Sequence, residues 1–350
     1  MFRPSSLHRT LPAALRDARS ESAAIRASAL ADLVGYAEGE RHQVLALLEG
    51  ALADRVADVR AAAALALADV RGVEALPALL FAVEDDDAHV RQMAIAAIGE
   101  IGDGRARERL RRALSDQRPE VRFQAVIAFS RVAHDEAIAA LLAALDDPDP
   151  NIRYVAIRCG EEQSLGAKRS VPFPLLEKAA ALLADADAAV RVAAAIILAR
   201  SGDRRGEPIL LEVVRGSLVT REMEDEAAAV ELSGELGIAA AEPDLVRRAF
   251  GFFGFGQDRF AWQALVSLAR MGHPRARAKI VRDLGSWWRD RRTLAVAAAG
   301  RAMLAEARPI VEAMMGDEGR ADGETVSLAL EQLGSRGAST ELIAPPEVAS

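Results

Sequence analysis

Apolar residues recur three and four positions apart along almost the whole chain, in helix-length runs divided by short polar turns. Residues 105–114 and 120–132 are one such pair of runs, with Gln117-Arg118-Pro119 between them. The pattern predicts two helices and a turn, and Pro119 stands at the entry to the second helix, where its missing N–H is harmless. Pro77 and Pro208 stand in the same way near the starts of first helices. Around Arg91, the positions one before and three, four and seven after it are Val90, Ala94, Ile95 and Ile98. That is a one-sided stripe, and it must be buried against something.

The stripe repeats. Val59-Arg60, Val90-Arg91, Val121-Arg122 and Ile152-Arg153 follow one another at intervals of 31 residues; Ile25-Arg26 precedes them by 34 and Val190-Arg191 follows by 38. Three residues after each arginine stands Ala29, Ala63, Ala94, Ala125, Ala156 or Ala194. Six residues before it stands Asp54, Asp85, Asp116, Asp147 or Asp185, with Ser20 in the first copy. An apolar-Gly pair eleven residues past the arginine, seen at Ile101-Gly102, returns at Leu236-Gly237, Met271-Gly272 and Leu333-Gly334. It sets further anchors at Glu226, Ala261 and Gly323, and Ala295, Val296 and Gly300 set one at Arg292.

About ten units result. A two-helix unit of this size cannot bury its own stripe, so copies must stack. The fold class expected is all-α, a right-handed α-solenoid. One solenoid is expected over 1–334, regular over about 11–215 and degenerate over 216–334, with an insertion at 160–174 and a flexible tail at 335–350. The invariant alanine marks a close helix crossing, so Ala125→Leu is expected to destabilise more than Ala133→Leu.

Residues 85–103, DDDAHVRQMAIAAIGEIGD, resemble the HEAT repeat in its short bacterial form named after phycobilisome lyases. The resemblance covers roughly residues 11–334. It implies a ladder linking successive units, in which Asp54, Asp85, Asp116, Asp147 and Asp185 pair with Arg60, Arg91, Arg122, Arg153 and Arg191 or their neighbours. From about residue 220 the ladder is missing from the sequence, since Glu226, Ala261 and Gly323 replace the arginine.

Composition narrows the function. Hydrophobic residues make up 51% but aromatics only 4%, so small aliphatic side chains supply the core, as closely packed helices require. A net charge of −8 argues against a surface built throughout for nucleic acid. One cysteine, Cys159, excludes a disulfide framework and a multi-thiolate metal site, and its slot is filled by alanine in other units. No His-Glu dipeptide, nucleophile elbow or phosphate-binding loop occurs. No long uncharged apolar run or secretion signal is read, so a cytoplasmic protein without membrane insertion is expected.

Two stretches break the pattern. Phe250, Phe252, Phe253, Phe255, Phe260 and Trp262 crowd into residues 250–262, as a corner packed into the core or as an exposed docking patch. Residues 270–292 then hold eight Lys/Arg against Asp283 and Asp290, with Trp287 and Trp288 inside, as a solvated face or a site for an acidic surface. The leading function is a non-catalytic interaction scaffold without cofactor or metal, in bacterial signalling or complex assembly. A protein partner would sit on the concave face and on Phe252, Phe253, Phe255, Trp287, Trp288, Arg289 and Arg292. The alternatives are nucleic-acid binding of the HEAT-like glycosylase kind and, from the repeat's name, bilin lyase activity.

Overall fold

The structure is a computed structural model, and it describes residues 9–70, 72–166, 170–251 and 258–334. Among these residues every regular element is helical. The chain divides into two compact units, Met1–Lys178 and Ala179–Ser350. The first contains α1 (Leu11–Asp17), α2 (Ala23–Leu33), α3 (Arg41–Ala51), α4 (Ala57–Val70) and α5 (Leu76–Ala82). It continues through α6 (Ala88–Ile101), α7 (Arg107–Ala113), α8 (Pro119–Val132), α9 (Ala137–Ala144) and α10 (Pro150–Gly166). The division falls within α11 (Phe173–Leu182). The second unit contains α12 (Ala188–Arg200), α13 (Glu207–Arg215), α14 (Met223–Glu235), α15 (Glu242–Phe250) and α16 (Ala261–Arg270). It ends with α17 (Pro274–Leu284), α18 (Arg289–Arg301), α19 (Arg308–Glu312) and α20 (Gly323–Gly334).

Each unit is a stack of helix pairs, the packing of an α-solenoid. Second helices lie side by side, α2 on α4, α6 and α8 onward in the first unit and α14, α16, α18 and α20 in the second, each covered by its own first helix. The alanine slot sits at the centre of this packing: Ala29, Ala63, Ala94, Ala125, Ala156 and Ala194 are fully buried, as are Ala229 and Ala264 in the degenerate copies. Ala133, however, is also fully buried at the C-cap of α8. It is therefore no neutral control, because the chain turns back into the core there.

Local chemistry fixes the ends of these helices. Asp87 and Asp187 cap α6 and α12 by accepting from two backbone N–H groups each. At the eleventh position past the anchor, Gly102, Gly202, Gly237 and Gly272 have φ between 62° and 89°, the left-handed ending that glycine adopts without strain. The insertion expected from residue 160 begins later, because α10 runs on to Gly166. Gly160 is there for a close approach: a Cβ would stand 2.5 Å from a methyl of Leu175. The tail expected at 335–350 lies outside the described residues.

Candidate interaction site

In the first unit the predicted Asp and Arg residues meet, one repeat out of step. Arg26, Arg60, Arg91 and Arg122 each grip the carboxylate of the following repeat, Asp54, Asp85, Asp116 and Asp147, through two N–H···O contacts of 2.7–3.0 Å. Within its own repeat the arginine donates instead to a turn carbonyl, that of Ser20, Asp54, Asp85 or Asp116, at 2.8–2.9 Å. Arg153 and Arg191 do the same to the carbonyls of Asp147 and Asp185. Each aspartate also accepts from the N–H two residues on, as Asp85 does from Asp87 and Asp185 from Asp187. One carboxylate thus shapes its own turn and anchors the preceding repeat.

These groups are mostly buried, which raises the stakes of the pairing. The hydrogen bond from Arg26 holds the Asp54 carboxyl below the usual carboxylate range. Burial pushes the other way at Asp85, Asp116 and Asp147, yet Arg60, Arg91 and Arg122, with the turn N–H groups, still hold those carboxyls low.

The second unit keeps the function of the ladder with other residues. Glu226 stands at the anchor position of α14 and accepts from Arg248 at 2.8 Å and Arg259 at 2.6 Å, so the charges are reversed. Arg248, 6% exposed on the first helix α15, also reaches the carboxylate of Asp258 and the carbonyls of Val213 and Val214. Asp258 in turn accepts from the N–H of Phe260, two residues on, just as the first unit's aspartates do. Sequence reasoning missed Arg248 because it has no counterpart in other copies.

The basic window is partly paired with carboxylates, two of them from outside it. Arg270 pairs with Glu235, Arg277 with Glu306, and Lys279 and Arg291 both with Asp283. Arg275 lies 3.9 Å over the ring of Phe250. Two expected contact residues also tie turns together: Arg289 donates to the carbonyl of Glu318, and Arg292 to those of Ser286, Gly319 and Arg320. Arg292 occupies the ladder position, fourth in its helix, and turn carbonyls replace the missing aspartate. Of the aromatic run, Phe260 is buried and Phe250 and Trp262 pack against the core, while Phe252, Phe253 and Phe255 lie outside the described residues.

What remains open is Trp287-Trp288. Trp287 is 85% exposed and Trp288 59%, with ring centroids 5.2 Å apart in an edge-on arrangement. Trp288 stands at the N-cap of α18 and supplies no capping hydrogen bond. Cys159 is buried in the first unit, which pushes its thiol up to about 11, far from a reactive thiolate. No group of His, Cys, Asp and Glu among the described residues is arranged to hold a metal ion, and no described helix is long and apolar enough to cross a membrane.

Residues 80–159 match the HEAT repeats family, and residues 59–85 match the PBS lyase HEAT-like repeat. Over residues 59–159, then, the chain carries HEAT repeats, one of them of the PBS lyase HEAT-like type. Solved structures share the solenoid packing at low identity. YibA of E. coli is 19% identical with a TM-score of 0.56, covering 77% of this chain and 99% of that one. Importin beta is 18% identical with a TM-score of 0.50, covering 95% of this HEAT-repeat chain and 51% of its own. The complex of CpcE and CpcF of phycocyanin lyase from Nostoc sp. PCC7120 is 18% identical with a TM-score of 0.45, covering 77% of this chain and 98% of that one. No curated protein sequence matches the chain.

Proposed function

We propose that this HEAT-repeat protein is a non-catalytic scaffold that docks a partner protein on the Trp287–Trp288 corner of its second unit. One observation carries the reading. At the turn position where Asp87, Asp149 and Asp187 accept N–H groups, and which Val56 and Arg118 fill without capping, the ninth repeat sets an exposed indole, Trp288, with exposed Trp287 beside it. Giving a cap to tryptophan forfeits about 1 kcal/mol of helix stability. Exposed tryptophans are also the side chains most often found at the energetic centre of protein interfaces. The pairing of Arg270, Arg277, Lys279 and Arg291 with carboxylates weighs against nucleic acid, which needs cations free to displace counterions.

The test is a quantitative affinity purification from the native cell, comparing the wild-type chain with Trp287→Ala/Trp288→Ala. Circular dichroism should show the same melting temperature within about 2 °C, since neither indole is packed in the core. A defined protein should be retained by the wild type and lost by the variant. Equal retention of every protein by both would remove the tryptophan corner from the reading, and a salt-dependent gel shift would favour nucleic acid instead.

A further inference from the structure

The geometry points to a second, separate site: a cavity between the C-terminal ends of α14, α16, α18 and α20 that binds a small zwitterion with an apolar side chain, of the α-amino-acid type. It begins with one strained residue. Met303 has φ of 52°, and it is the non-glycine residue with positive φ among those described. It occupies the slot, eleven past the anchor Arg292, that Gly102, Gly202, Gly237 and Gly272 fill in other repeats. A side chain at left-handed φ is disfavoured, and strain of this kind is retained where the side chain has a task.

Met303 lines a cavity of about 440 Å3, within the size range of small-molecule sites. With Val266 it supplies apolar wall, and Glu231, Glu235, Arg270 and Arg301 supply charge. The charges form two ion pairs, Arg270 with Glu235 at 3.0 Å and Arg301 with Glu231 at 3.3 Å. Arg301 also lies over the Trp262 ring at 5.2 Å, which fixes its guanidinium. Gly300 is required beside it, because a Cβ there would stand 2.7 Å from the Cα of Ala329.

The balance of charge suggests the ligand. Two carboxylates and two guanidiniums, all partly exposed, leave the cavity neutral, so its net charge favours neither an anion such as phosphate nor a polycation. A molecule carrying one ammonium and one carboxylate matches that balance. Its ammonium adds to a glutamate oxygen and its carboxylate to a guanidinium edge, since both groups have more bonding capacity than one partner fills. Its apolar side chain then rests on Met303, a polarisable surface that adapts to varied shapes.

Thermal shift and calorimetry on the full chain test this, with leucine, methionine and phenylalanine as probes. N-acetyl-leucine and leucinamide each lack one charge, and inorganic phosphate and spermidine serve as net-charged controls. At least one of the free amino acids should raise the melting temperature, and the blocked and net-charged compounds should not. Met303→Gly should melt no lower than the wild type, because relief of the left-handed backbone offsets the lost side chain, and should bind about tenfold more weakly. Trp287→Ala should bind as the wild type does: α18, 13 residues long, puts about 20 Å between its two ends. No shift with any amino acid, an equal shift with phosphate or spermidine, or unchanged binding by Met303→Gly would overturn the site. A lower melting temperature for Met303→Gly would remove the strain that argues for it. None of these outcomes depends on the partner at the tryptophan corner.

Discussion

The two units solve one problem in different ways. In the first, an arginine in each second helix takes the aspartate of the next turn, and the solution is copied from repeat to repeat. In the second, Arg248 comes from a first helix, Glu226 reverses the sign, and Arg292 uses carbonyls. The helices also approach differently. A Cβ on Gly99 of the first unit would meet the Cβ of Ala128 at 3.0 Å, whereas on Gly234 of the second it would meet the Cα of Ser267 at 2.5 Å. Repetition gives a joint that tolerates substitution elsewhere; a joint used once depends on every one of its members.

The largest effect should therefore come from Arg248→Met. It leaves Glu226, Asp258 and two carbonyls without their buried cation, and the loss expected is about 3–5 kcal/mol by urea unfolding. Arg122→Met in the first unit should cost less, about 2–3 kcal/mol, because one joint among several is lost. A larger loss for Arg122→Met would reverse the contrast between the units.

Next comes the glycine pair. Gly234→Ala must push backbone and should cost about 3 kcal/mol, while Gly99→Ala meets the Cβ and Cα of Ala128 at 3.0 and 3.1 Å, a smaller overlap, and should cost about 1 kcal/mol, partly offset by alanine's better helix propensity. Melting temperatures of the two variants would decide it. Equal shifts would mean that the helices of both units have the same slack.

The smallest contrast is in pH. The carboxyls of Asp54, Asp85, Asp116 and Asp147 are held low in the folded chain, so their contribution is complete above the unfolded value of about 3.9 and fades as pH falls through the folded values. The destabilisation by Arg122→Met should accordingly be full at neutral pH and shrink as pH falls below the unfolded value of about 3.9. A difference that stays constant from neutral to acid would show that packing of the arginine stem, not its charge, carries the joint.

Much of this was legible in the sequence, and for a physical reason. A solenoid repeats its local solutions, so the buried alanine slot, the turn aspartate and the anchoring arginine each appear several times over. Periodicity alone could not say which aspartate each arginine takes, since its own turn and the next lie at the same phase in every copy. Arg248 carried no periodic signal at all. The pairing of Arg270 and Arg277 was not legible because Glu235 and Glu306 lie about a repeat away in sequence, outside any local window, yet against them in space. The same rule exposes a second row nine residues past the anchor, where Glu100 meets Arg131 and Glu235 meets Arg270. Trp288 could have been singled out by its place in a slot that three repeats give to a capping aspartate.

The relay of each turn carboxylate to the arginine before it bears on ancestry. The copies anchored by Arg60, Arg91 and Arg122 offer the same two half-joints, so tandem duplication or excision of one 31-residue module there would leave matched neighbours on both sides of the seam. That stretch can lengthen or shorten in a single genetic event. Where Glu226, Arg248 and Asp258 are fitted to one another by contacts used once, deleting a module would strand a cation in the interior. There the number of modules is locked, and change is confined to one residue at a time.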